Sequence, residues 1–119
     1  MSLAFFALSS LDLLGGLDRI SQDEKRDYIN WIYEQQLPSG GFRGGPFVGI
    51  SSEPAHIVMS YTALLNLAIL GDDLSRLDYR GLVLFVMACQ SQDGWYTAPP
   101  NSRDTNLTYI PASHRFLAL

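Results

Sequence analysis

Residues 55–74, AHIVMSYTALLNLAILGDDL, constrain the fold of this chain more than any other stretch. Ile57, Tyr61, Leu64, Leu65 and Ala68 recur at the spacing of one helical face, while Val58, Met59, Leu67, Ile69 and Leu70 fill much of the remaining circumference. A helix that is apolar nearly all round is usually buried on both sides. Its polar members, His56, Ser60, Thr62 and Asn66, then either hydrogen-bond inside the protein or face an internal cavity that receives something. Periodicity alone leaves both options open.

Charge narrows the function classes. Hydrophobic residues make up 47% of the 119-residue chain and charged residues only 17%, where about 25% charged is ordinary. That balance is expected of a piece of something larger, or of a chain that relies on a partner. The net charge of -4 comes with eight scattered basic residues, which argues against nucleic acid or an anionic membrane surface as the partner. Residues 56–71 are apolar but fall short of the roughly 20 needed to span a bilayer. The opening MSLAFFALSSLDLLGG lacks the positive region of a signal peptide and repeats later in the chain, so it reads as a helix cut at its edge. Cys89, the single cysteine, excludes an internal disulfide and sits in an apolar run, as a small buried hydrophobe does. A reducing, cytoplasmic setting is expected.

Read in order, residues 2–14 form a first apolar helix closed by Gly15-Gly16. Ser21-Gln22-Asp23-Glu24 has the form of a capping box, and it opens an amphipathic helix over 22–36 with Tyr28, Ile29, Ile32 and Tyr33 at helical spacing. LPSGGFRGGPFVG, residues 37–49, holds too many glycines for regular structure, and Phe42 and Phe47 within it need somewhere to pack. The organising helix follows over 54–70, closed by Gly71. Ser75 looks like the cap of a fourth helix running to 90, and Gln92-Asp93-Gly94-Trp95-Tyr96 is a second turn.

The two halves match. Ala7-Leu8, Leu11 and Leu14-Gly15 answer Ala63-Leu64, Leu67 and Leu70-Gly71 at an offset of 56, and the stretch from Gln36 to Gly41-Phe42 answers that from Gln90 to Gly94-Trp95 at 53 to 54. Each unit is an apolar inner helix, a polar link, an amphipathic outer helix and a Gly-aromatic turn, hence a repeat of helical hairpins. Two such layers, repeated and closed on themselves, give an all-α, α/α toroid. Two hairpins, about 2–53 and 54–107, make only a partial domain with a divergent tail, and uncapped repeats leave apolar faces open.

At this point the motifs AFFALSSLDLLGGLD, INWIYEQQLP, GGFRG, AHIVMSYTALLNLAILGDDLSRLD and the Gln92 to Trp95 turn, taken in order, resemble the β-subunit of protein prenyltransferases. FFALSSLDLL and ILGDDLSR are similar to its type I geranylgeranyltransferase branch. The likeness runs from Ser2 to about Ala98 and corresponds to the first third of a family member. It implies zinc-dependent transfer of geranylgeranyl from its diphosphate to the cysteine of a C-terminal CaaX sequence, with an α-subunit as partner. A metal-bound thiol is deprotonated and nucleophilic at neutral pH. By the same resemblance Ser2 is the small residue that leaves room for the longer isoprenoid, Phe6 lines the pocket for the peptide's terminal side chains, and His56 and Val58 face the peptide's last residue. For His56 the competing reading is an ordinary cap or core group; for Phe6 and Val58 it is core.

The departures concern the chemistry. The family's Asp, Cys and His zinc ligands belong to its later two thirds and have no counterpart here; neither Cys89 nor His114 stands in a liganding context. Asn106 occupies the place of an expected Arg, and Pro111 interrupts a helix as it begins. No catalytic or metal residue is therefore assigned, and the chain alone is expected to be inactive. A farnesyltransferase β-subunit, a terpene cyclase toroid (the Gln90 to Trp95 turn resembles cyclase repeats) and a non-catalytic fragment that binds an α-subunit are the alternatives. A Ser113, His114, Asp104 triad lacks its supporting loop, Asp72-Asp73 reads as a linker, and GGFRGG lacks the Lys and Ser/Thr of a phosphate loop.

Overall fold

The computed structural model describes residues 1–46 and 54–91, together with Gly94, Tyr96, Thr97 and Pro100. Four α-helices lie among them: α1 (Ser2–Leu13), α2 (Gln22–Tyr33), α3 (Ile57–Leu70) and α4 (Tyr79–Cys89), with a 3₁₀ turn at Leu17–Arg19. Local chemistry accounts for the ends. Gly15 and Gly71 take φ of +67° and +77° and close α1 and α3. At α2 the capping box is complete: Ser21 Oγ accepts from the Glu24 amide at 3.2 Å and Glu24 Oε2 accepts from the Ser21 amide at 2.9 Å. The Ser21 amide and then the Ser21 hydroxyl, both donating to that carboxylate, hold the Glu24 carboxyl below its usual pKa.

Two helix starts differ from expectation. α3 begins at Ile57 instead of 54, because His56 is its N-cap, with Nδ1 accepting from the Val58 amide at 3.1 Å. α4 begins at Tyr79, not after Ser75. Asp78 caps it by accepting from the Gly81 amide at 2.9 Å, while the Ser75 amide donates to Asp73 in the linker at 2.9 Å. Asp72 is likewise structural: it accepts from the Leu74 amide at 2.9 Å and from the Tyr33 hydroxyl. Burial and this carboxylate push the Tyr33 phenol well above its ordinary range. Arg76 stacks 4.5 Å above the same ring and donates to Asn30 at 2.7 Å, tying the linker to α2.

α1 packs against α3, and α2 against α3. The inner pair runs parallel: Ser2, the first residue of α1, reaches Met59 in the first turn of α3, with Oγ 3.5 Å from its sulfur. Leu8 shares one core with Ile32, Phe42, Ala63, Leu67 and Leu70, and a second core gathers Ala55, Ile57, Phe85 and Cys89. The buried residues of α3 are thus Ile57, Ser60, Thr62, Ala63, Asn66, Leu67 and Leu70; of the expected face Ile57 is buried and Leu64 and Leu65 are half-buried, whereas Tyr61 (55% exposed) and Ala68 look outward. Of its polar residues, Ser60 and Thr62 are hydrogen-bonded internally and Asn66 donates to the Met1 carbonyl at 3.4 Å. Among the described residues the expected burial on both sides is met on one side only. α4 is less one-sided than expected, exposing Val83, Leu84 and Met87 while burying Leu82, Phe85 and Cys89.

The two Gly-aromatic turns share one geometry. Gln36 pairs antiparallel with Phe42, and Gln90 with Tyr96. Gly40 and Gly94 take φ of +92° and +83°. The Arg43 amide donates to Gln35 and the Thr97 amide to Cys89, at 3.1 and 2.7 Å. All three correspondences have an offset of 54, so Tyr96, not Trp95, is the counterpart of Phe42. Phe42 is fully buried; Phe47 and Trp95 lie outside the described residues, as does part of the boundary between the two expected hairpins. The first turn seats α4: Gly40 meets Gly81 backbone to backbone, Gly41 lies against Phe85 and Ala55, and the Gln36 side chain clasps both backbone atoms of Asp78 at 3.1 and 3.2 Å.

Candidate functional site

Because α1 and α3 run parallel, their N-terminal turns lie side by side. Ser2 is the first residue of α1, Phe6 lies one turn later, His56 caps α3 and Val58 is in its first turn. All four sequence candidates therefore belong to one end of the inner helix pair. Ser2 is half-buried against Met59, a neighbour of Val58 that the sequence had given no reason to single out. Phe6 is 63% exposed, its ring 5.7 Å from that of Phe5 and tilted by 50°. Val58 is half-buried and packs on the core that holds Phe85 and Cys89. The His56 Nδ1 is an acceptor in the cap, so in the neutral ring the proton sits on Nε2. The cap reading of His56 is thus real, and it also fixes the ring's orientation at this end.

A separate apolar cavity of about 240 Å³ opens between α1 and α2. Ala4, Ala7, Leu8 and Leu11 form one wall, and Ile20, Tyr28, Trp31 and Ile32 the other. It contains none of the four candidates. The small Ala4 and Ala7 leave the space, and Tyr28 and Trp31, three apart on α2, reach over it. In the sequence Trp31 stood only within the motif INWIYEQQLP.

The described residues do not build a metal centre. No three His, Cys, Asp or Glu among them converge. Cys89 is 1% exposed, and burial pushes its thiol up to about 11. A thiol so placed is protonated at neutral pH and a poor ligand or nucleophile. The described part of the chain thus offers zinc no donor set. Because the folded-state pKa is raised, the neutral thiol's contribution to stability is complete below the unfolded-state value near 9 and is lost as pH climbs through about 11. Alkylation of Cys89 at pH 8 is expected to follow opening of the second core, accelerating sharply in denaturant. Native-state alkylation at the rate of a free thiol, read by mass spectrometry, is the contrary outcome.

Comparison with known proteins matches residues 1–118 to the prenyltransferase alpha-alpha toroid domain. The geranylgeranyl transferase type-1 subunit beta of Dictyostelium discoideum is 33% identical over 92% of this chain, and that of Arabidopsis thaliana 25% identical over 92%. The geranylgeranyl transferase type-2 subunit beta of Saccharomyces cerevisiae is 34% identical over 75%. The matches cover 39%, 34% and 26% of those relatives respectively, so the chain spans well under half their length. Its capped hairpins, its parallel inner helices and its matching turns agree with these likenesses, and the chain belongs to the prenyltransferase α/α toroid family.

Proposed function

We propose that this chain is the N-terminal part of a type I protein geranylgeranyltransferase β-subunit, which with an α-subunit transfers geranylgeranyl from its diphosphate to the cysteine of CaaX proteins. The observation that carries this reading is the alignment of nearly the whole chain with type-1 β-subunits from two distant organisms. The yeast type-2 match supports a second reading, a β-subunit of the type-2 enzyme. In the proposed role Ser2 leaves room for the isoprenoid, Phe6 and Val58 supply apolar wall to the peptide's end, and the cap holds the His56 ring beside them. These residues bind and orient; none of them makes or breaks a bond. When bound, zinc would supply the activated thiolate, from ligands that the described residues do not contribute. The domain is read as two hairpins, about 2–53 and 54–107, with a tail.

Labelled geranylgeranyl transfer to a CaaX peptide ending in Leu tests the assignment, with the chain alone and with a co-expressed α-subunit, each with added zinc and metal analysis. The chain alone is expected to give background only; turnover with stoichiometric zinc overturns that expectation. With the α-subunit, a complex that binds the CaaX peptide, and binds it several-fold more weakly as Phe6→Ala, supports the reading. Failure to co-purify, or peptide binding indifferent to Phe6→Ala and Val58→Asp, overturns it.

A further inference from the structure

We infer that Asn66 is a positioning residue, which holds the start of α1 in one place on α3 and lowers stability in doing so. Asn66 is fully buried, on the same face of α3 as the core residues Ala63, Leu67 and Leu70. Its Oδ1 is the one buried side-chain oxygen or nitrogen that lacks a hydrogen-bond partner among the described residues. A buried amide oxygen left unpaired is destabilising and calls for a reason. Ser60 and Thr62, the other buried polar residues of α3, donate to the carbonyls of His56 and Val58 at 3.0 and 3.1 Å and leave no such atom.

The Asn66 amide turns to α1 instead. Nδ2 donates to the Met1 carbonyl at 3.4 Å and lies 3.5 Å from the Met1 sulfur. The opposite orientation of the amide would set Oδ1 against that carbonyl oxygen, two acceptors together. Both contacts are long for hydrogen bonds, and the Met1 carbonyl already accepts from the Phe5 amide at 3.1 Å. Asn66 is therefore not needed to satisfy it. What the amide adds is direction: a donor with one acceptor in reach favours a single placement of α1, whereas an apolar side chain tolerates neighbouring placements almost equally. Ser2, the next residue, touches Met59, about two turns before Asn66 on α3. The start of α1 is thus pinned at two separate points along α3. Ser2 and Phe6 keep their places relative to His56 and Val58 only while that alignment holds, and the importance of this for peptide binding rests on the function proposed above.

Asn66→Leu tests the inference, with the smaller Asn66→Val as a second variant, because each removes the unpaired oxygen and the directional contact together. In the 119-residue chain at least one of the two is expected to raise the thermal midpoint by about 4 °C or more. In that variant the NMR cross-peak between the Ser2 β-protons and the Met59 methyl is expected to weaken at least about twofold or to split. With a co-expressed α-subunit, the affinity for a CaaX peptide ending in Leu is expected to fall several-fold although the variant is more stable. A midpoint lowered in both variants, or a Ser2 to Met59 cross-peak that keeps its full intensity, overturns the inference. A displaced α1 with unchanged peptide affinity supports the positioning role and overturns instead the reading of Ser2, Phe6, His56 and Val58 as the peptide site.

Discussion

Replacing Gly40 by alanine is expected to lower the stability of this chain by about 2–5 kcal/mol, the sum of a left-handed backbone cost and an overpacking cost. Gly40 sits at φ +92°, where a side chain is strained. A Cβ there would lie 1.9 Å from the Gly81 carbonyl carbon. The neighbour is backbone, so no rotamer change relieves it; α4 must move, and with it the Gln36 clasp on Asp78 and the contacts of Phe85. Against a total stability of about 5–15 kcal/mol for an ordinary domain, that is a large fraction. Gly15→Ala is the control. Its φ is +67° but nothing lies within 4 Å of the added Cβ, so only the backbone cost of about 1–2 kcal/mol applies. Thermal denaturation followed by circular dichroism separates them; equal losses for the two would show that the Gly40 to Gly81 approach does not hold α4.

Phe42→Ala is expected to cost about 3–5 kcal/mol, the range for deleting a buried aromatic. The ring is fully buried in the core formed by Leu8, Ile32, Ala63, Leu67 and Leu70. Its backbone also binds the loop to α3: the Phe42 amide donates to Ser60 Oγ at 2.8 Å, and its carbonyl accepts from the His56 amide at 2.9 Å. The truncation thus opens a cavity where the first turn, α2 and α3 meet. Phe42→Leu keeps most of the volume and is expected to lose less than about 1.5 kcal/mol. Urea unfolding midpoints give the comparison; near-neutral behaviour of Phe42→Ala would mean that the ring is not the plug of this core.

The Gly40 contact also shows why part of the fold was legible and part was not. Helix ends set by neighbours in sequence were readable: Ser21 with Glu24, Gly15 and Gly71 all act where expected. Ser75 did not, because two nearby carboxylates competed: Asp73 took its amide and Asp78 lay nearer the first turn of α4. The face of α3 was misjudged for a different reason. Periodicity finds a stripe of large residues, but α1 approaches along a stripe that includes small and polar ones, Ser60, Ala63 and Asn66, which permit close packing.

For the candidate site the division is similar. Ser2, Phe6, His56 and Val58 were named through resemblance, and no spacing rule joins residue 2 to residue 58. His56 was legible only as a choice between a cap and a ligand-facing group; the bond from the Val58 amide to Nδ1 shows the cap, and it leaves the ligand-facing role a proposal. The α1–α2 cavity followed from Ala4 and Ala7 facing Tyr28 and Trp31, a match of sizes between helices that neither helix announces.

By itself, the sequence determined the four helices, the Ser21 cap of α2, the glycines that close α1 and α3, the repeat and the family, because each depends on residues a few positions apart or on order along the chain. Tertiary structure alone decided which side of α3 is buried, that α1 and α3 run parallel with their first turns together, and that Gly40 touches Gly81. Those outcomes depend on how distant surfaces fit, and the volume and shape of both partners set that fit at once.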